Sequence, residues 1–335
     1  MFRKQEVRVW VRVLVVLALG ATASGCMGPL LPAGDSTSLS VQPRGATSQT
    51  TWRVPTDYAT IQLAVDSPDV AAGDRVLVEA GAHAGALIQK PVQIWGEDGA
   101  VIASGPVHSS GLIQGFRLLA GSDGAVIAHL TFTVDLAIMN GAAVDGIEVS
   151  HCNFLNPIQG VSNWGGCGWV IDHNSIENLR CRNGGGIGVL IGDRSGGAVT
   201  DNIVSHNAIR GILSVQGGGG YNGSGIVLYA DFRYGWPGTA DMSRNRVLHN
   251  AVDLVSDKPE VVDVVAFELT DSRGNPELTP VIFGNAVGFN DFRGTALQID
   301  LTPEALIECN ELSRNLGANR GHGSHPAVFG PGGNR

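Results

Sequence analysis

Between residues 217 and 238 the chain concentrates side chains that can grip a polar ring and move a proton. Gly217, Gly218, Gly219 and Gly220 lead into Tyr221, and Tyr229, Asp231, Arg233, Tyr234 and Trp236 follow. Three of the four tyrosines of the chain fall in this stretch, which makes it a concentration rather than a scatter. Aromatic faces beside Asp and Arg are the equipment of a sugar cleft: rings stack on C–H faces, and charged groups bond hydroxyls or carboxylates. In that setting Asp231 serves as acid or base and Arg233 as a carboxylate clamp. Tyr221, Tyr229, Tyr234 and Trp236 form the platform. The competing reading makes residues 225–229 an extra strand whose flank the aromatics merely cover.

A second candidate is a column. His129, His151 and His173 recur every 22 residues, and Asp201 and Arg244 hold the same place in later copies. Equal spacing in a stacked chain puts the imidazoles at one turn. Neighbours such as His151 and His173 can then share a metal ion, or one can act as a base. No carboxylate or thiolate motif completes the set, and solvated polar turn residues are the plainer reading. Glu268, Asp271 and Arg273 read as a solvated loop. Gly321-His322-Gly323 falls in a Gly-rich end and reads as chance.

The elements that must position these groups come from a repeat. Seven segments align on Phe132, Phe154, Ile176, Val204, Val247, Val287 and Leu312, each with an apolar residue five positions earlier. Asn stands two before the anchor at Asn174, Asn202, Asn245, Asn285 and Asn310, and three after it at Asn207, Asn250, Asn290 and Asn315. Spacings of 22 with added loops mark a solenoid, whose copies bury apolar surface only against their neighbours. Short alternating runs such as 146–149 and 169–171 read as strands, and Asn and Gly supply turns that accept positive φ. The expected fold is all-β, a right-handed parallel β-helix. Asn stacked about 4.8 Å apart in one slot bonds the coils above and below. A solenoid end needs a cover, and residues 54–66 read as a loop and a short amphipathic capping helix starting near Thr56 or Asp57, before a strand at 75–78.

That opening, with Ala72-Gly73-Asp74-Arg75-Val76-Leu77-Val78-Glu79-Ala80-Gly81, resembles the pectin-lyase-like β-helix superfamily of pectate lyases, pectin esterases, alginate epimerases and periplasmic NosD-type repeat proteins. The resemblance covers about residues 52–316. It implies a polysaccharide partner and, as activity, a lyase or hydrolase. It requires no cofactor but brings calcium and copper into view, copper through the NosD-type relatives. The family's enzyme motifs are mostly missing: no pectin-esterase Asp-Phe-Ile-Phe-Gly run, no epimerase Asp-Pro-His-Glu run, and no outward acidic cluster of the calcium-binding kind. A noncatalytic envelope protein that binds glycan or presents a surface is therefore the alternative, with a copper-linked role third.

The formal charge is −9. Residues 1–26 carry four basic groups, Arg3, Lys4, Arg8 and Arg12, and one acid, Glu6, so their removal brings it to −12. Only Lys90 and Lys258 then remain as lysines, which argues against nucleic acid. The basic start, the apolar run 13–19 and Ala23-Ser24-Gly25-Cys26 resemble a bacterial lipobox in which Cys26 is lipidated. Ala23 stands where Leu is usual, which leaves plain secretion open. The organisation expected is a leader at 1–26, a tether at 27–50, the β-helix at 51–316 and a Gly-rich tail at 317–335. Such a chain is a monomer of the bacterial envelope, held to the membrane through its lipid alone. Export permits disulfides. Cys167 and Cys181, 14 residues apart on one excursion, are the first choice for a bridge, against a reading with all thiols reduced and packed.

Overall fold

In the computed structural model the described residues are 49–182, 185–216, 223–231, 241–271, 281–301, 307–308, 310–316 and 319–321. Every strand pair among them is parallel, and the strands collect into sheets of ten, nine, seven and three. In each sheet successive strands come from successive coils. The ten-stranded sheet runs from Thr51–Val54 to Glu311–Ser313, and the nine-stranded sheet from Ala86–Ile88 to Asn319–Gly321. This is a right-handed parallel β-helix. Its last strand extends past the boundary expected at residue 316.

Apolar columns fill the interior. Ile127, Val149, Ile171, Val204, Val247, Val287 and Leu312 lie in register in the ten-stranded sheet, all essentially fully buried. Phe132 and Phe154 stack at 5.0 Å in the seven-stranded sheet. This pairing corrects the alignment read from sequence. Val204 sits over Ile171, not over Ile176, which pairs with Ile209. The coil has gained a corner: from Val199 onward the same short motif turns the chain twice. The three-stranded sheet of Met242–Ser243, Ile282–Phe283 and Ile307–Glu308 is the added side.

Two asparagine ladders hold these two corners. One joins Asn202, Asn245, Asn285 and Asn310; in it the backbone N–H and Nδ2 of each donate to Oδ1 of the next. The other joins Asn174, Asn207, Asn250, Asn290 and Asn315 in the same way. Asn174 thus belongs to the second ladder. Every rung is at most 3 % exposed, so these bonds satisfy turn groups that water cannot reach. At the foot of the second ladder Cys152 N–H donates to Asn174 Oδ1, 2.9 Å. Its own thiol, directed at the Ile127 and Ser150 carbonyls, replaces an amide.

The helix Ile61–Asp66 begins later than expected. Asp57 Oδ2 accepts the Arg53 N–H, closing a turn, and Thr60 is the N-cap, its Oγ accepting the Leu63 N–H at 3.1 Å. Ile61, Ala64 and Val65 enter the core against the first strands, which covers the end of the solenoid.

The bridge between Cys167 and Cys181 does not form; both are free thiols. Fourteen residues carry the chain from one corner to the next, whereas contacts recur a full coil apart. Cys167 Sγ accordingly meets Thr200, accepting from its N–H at 3.5 Å, and lies 3.3 Å from the Ala198 carbonyl. Cys181 ends the strand Ser175–Cys181 in another sheet. Burial pushes the Cys152 thiol up to about 12, so a maleimide at pH 8 should label Cys152 only after unfolding. Rapid native labelling would contradict this packing.

Candidate functional site

The outward face of the nine-stranded sheet gathers the first candidate. Glu268 lies in the strand Val264–Asp271, not in a loop, and its register partner on the next strand is Asp300. Ser224 Oγ donates to Glu268 Oε2 at 2.8 Å. Burial pushes the Glu268 carboxyl up, the charge of Asp300 adds to this, and hydrogen bonds with Ser224 and Thr270 oppose it only in part. Two carboxyl groups on neighbouring strands, one of them holding its proton to higher pH, form the usual division into acid and base.

Two residues further along the same strands lies an aromatic step. Trp164, Gly192, Tyr229 and Thr270 are in register on successive strands. Trp164 and Tyr229 meet edge to face at 6.0 Å, and the Arg194 guanidinium sits over the Trp164 ring, 5.5 Å from its centroid. A Cβ on Gly192 would fall 2.9 Å from the Trp164 ring, so Gly192 is what lets the indole lie across the sheet. Gly192→Val is expected to displace Trp164 and to weaken any ligand on this step about tenfold, read by binding titration.

The structure divides the residues singled out between 217 and 238. Tyr229 stands on this step. Asp231 is buried, and its N–H donates to the Asp193 carbonyl at 2.7 Å. Tyr221, Arg233, Tyr234 and Trp236, like Cys26, Arg273 and Cys309, lie outside the described residues. Glu268 and Asp300 were missed as a pair because 32 residues separate them, which matches no repeat spacing.

The second candidate is the histidine column, longer than its spacing suggested. His129, His151, His173, His206 and His249 stack ring on ring with centroids 4.6–5.2 Å apart, between Trp95 and Phe289. Each of the five has φ between 53° and 59°, the left-handed corner that costs an L residue about 1–2 kcal/mol. Asp201 and Arg244 leave the column for the added corner, where they form an ion pair at 2.9 Å. A carboxylate does complete the group: Asp172 faces His173 Nδ1 and His206 Nδ1 at 2.5 and 3.0 Å and accepts from Ser205 Oγ. Burial works to raise the Asp172 carboxyl, but these three bonds outweigh it and hold it low. His173 is therefore grouped with Asp172 and His206, and His151 stacks behind it.

A surface groove of about 320 Å³ lies elsewhere, beside Asp135 and Arg180. Those two are bonded to each other at 2.7 Å, which leaves the groove less suited to acid–base work.

No family model matches the chain, and no curated protein matches it. Among solved structures it is similar to the A-module of a mannuronan C-5 epimerase of Azotobacter vinelandii, at 14% identity and TM-score 0.28, covering 85% of this chain and 97% of that one. It is also similar to a family 28 exopolygalacturonase of Yersinia enterocolitica, at 11% identity and TM-score 0.23, covering 85% and 78%. A third is the DFA-IIIase of Arthrobacter chlorophenolicus A6, at 13% identity and TM-score 0.25, covering 80% and 79%. The fold rests on the parallel strand pairing itself, and these similarities assign no residue a role.

Proposed function

We propose that this chain is an exported, lipid-anchored β-helix protein that binds an extended polysaccharide along the outward face of its nine-stranded sheet. There Glu268 and Asp300 hydrolyse it. The observation that carries the reading is their register: two carboxyl-bearing residues face each other across adjacent strands, beside the Trp164–Tyr229 step. In-register parallel strands stand about 4.8 Å apart, close to the roughly 5–5.5 Å between the carboxyl groups of retaining glycosidases. Glu268 gives its proton to the departing sugar oxygen as Asp300 bonds the anomeric carbon; water, losing its proton to the Glu268 carboxylate, then displaces Asp300 and frees the second sugar. Trp164 supplies a flat apolar face for a pyranose, and Arg194 a cation for an acidic one. Cys26, lipidated after export, tethers the domain to the bacterial envelope through residues 27–50.

The test is incubation of the purified protein with neutral and uronate-containing polysaccharides, with and without calcium. New reducing ends, unsaturated-product absorbance and affinity electrophoresis are recorded. Retarded migration with new reducing ends is the expected result. Unsaturated products without hydrolysis would replace hydrolysis by lyase chemistry. Binding without product would leave the noncatalytic reading, and no binding to any glycan by a folded sample would sink the proposal.

A further inference from the structure

Asp172 is the only acid in its row. The residues preceding the ladder corners in the ten-stranded sheet are, in register, Ala128, Ser150, Asp172, Ser205, Leu248, Gly288 and Ser313. At that one level a carboxylate stands beside two imidazoles, and the donor atoms of Asp172, His173 and His206 all lie within 4.8 Å of one another. We propose that these three residues bind one divalent metal ion of the zinc class, at a site separate from the sheet face assigned above to glycan.

The geometry is close to what an ion requires. Metal–ligand distances of about 2.0–2.2 Å place two ligands of one ion roughly 3–4 Å apart, so a small opening of the Asp172 contacts to His173 Nδ1 and His206 Nδ1, now 2.5 and 3.0 Å, admits the ion between the three donors. The rings are already held. His173 and His206 stack on each other at 4.6 Å, His151 lies 5.2 Å behind the first, and His249 lies 5.2 Å beyond the second. Their backbones are fixed at rigid corners between paired strands, so little ordering remains for binding to impose. Ser205 Oγ donates to Asp172 Oδ1, orienting the carboxylate as outer partners of metal ligands do.

Access and selectivity agree. The His173 and His206 side chains are about half exposed, at 51% and 48%, so an ion enters from solvent and water completes its coordination. Binding takes both rings as the Nε2–H tautomer, which turns the Nδ1 lone pairs toward the ion; each proton moves from Nδ1 to Nε2 through solvent, with none lost from a neutral ring. Two imidazoles and one carboxylate favour zinc and its neighbours, while calcium and magnesium favour oxygen alone.

The experiment uses the full chain, stripped with a chelator and titrated with zinc chloride by calorimetry, with cobalt(II) visible absorption as a second readout. One zinc per chain is expected, with a higher melting temperature in its presence and no comparable heat from calcium. His206→Gln and Asp172→Asn should each weaken zinc by about tenfold or more. His129→Gln, two rungs from the nearest ligand, should not change it. The circular-dichroism melting curve without zinc checks folding, and if His206→Gln fails that check Asp172→Asn carries the test. Absence of zinc uptake overturns the proposal. So does equal affinity in wild type and the folded variants, which would send the ion to another group such as the partly exposed Cys167 thiol.

Discussion

Glu268→Gln is expected to cut turnover of the cognate polysaccharide by about 100-fold or more while leaving its affinity within a fewfold. Removal of a general acid typically costs about 10²–10⁴ in rate, and Gln keeps the shape and a hydrogen bond to Ser224 but has no proton to give. The same variant should be at least as stable as wild type at neutral pH. Burial and Asp300 raise the Glu268 carboxyl above its ordinary 4.5, so the native state binds more protons than the unfolded chain between the two values. The stability this group contributes is complete below the unfolded value and is lost as pH rises through the folded one. Gln abolishes that loss. Thermal unfolding from pH 4 to pH 8 should therefore show a flatter profile for the variant, and the high-pH fall of wild-type kcat/KM should disappear from its residual activity. Full turnover in Glu268→Gln, with an unchanged pH profile, would remove Glu268 from the chemistry.

The repeat was legible because a solenoid writes its contacts locally. An apolar residue, an Asn three later and an apolar residue after that turn the chain by one corner, and this unit can be read without knowing what it packs against. Which corner it makes is not written there. Val199-Asn202-Val204 and Val204-Asn207-Ile209 are the same unit twice in succession, and aligning later copies on the first of them slipped the register between Ile176 and Val204. That slip also cut the histidine column short at His173. The next rung, His206, comes 33 residues on, because the coil had gained a side. Glu268 and Asp300 were illegible for a related reason. Variable excursions separate the strands of the nine-stranded sheet, and Glu268 interrupts a run, Val264-Val265-Ala266-Phe267 and Leu269, that shows no outward face until its neighbours are in place.

Asn250→Ala should cost about 3 kcal/mol or more in equilibrium denaturation. Asn250 is 1 % exposed. Its Oδ1 accepts from the N–H and Nδ2 of Asn207, and its Nδ2 donates to Asn290 Oδ1 and the Val204 carbonyl. Ala leaves the Asn207 N–H and the Val204 carbonyl without these partners, and each buried orphan costs about 1–3 kcal/mol. Asn250→Asp separates bonding from volume. Asp retains the acceptor for Asn207 but turns a carboxylate oxygen toward the Val204 carbonyl and Asn290 Oδ1, so it should be less stable than Ala at neutral pH. Acidification should close that gap, because a carboxyl buried beside acceptors has a raised pKa and recovers a donor on protonation. Equal stability of the two variants at all pH values would mean that the slot is filled by size alone. The consequence reaches the metal proposal as well. His249, held at φ 58°, immediately precedes Asn250, and its ring stacks on His206. A ladder that loses this rung loses part of the restraint on the corner that aligns the imidazoles, so folded Asn250→Ala should also bind zinc more weakly, without a change at any of the three ligands.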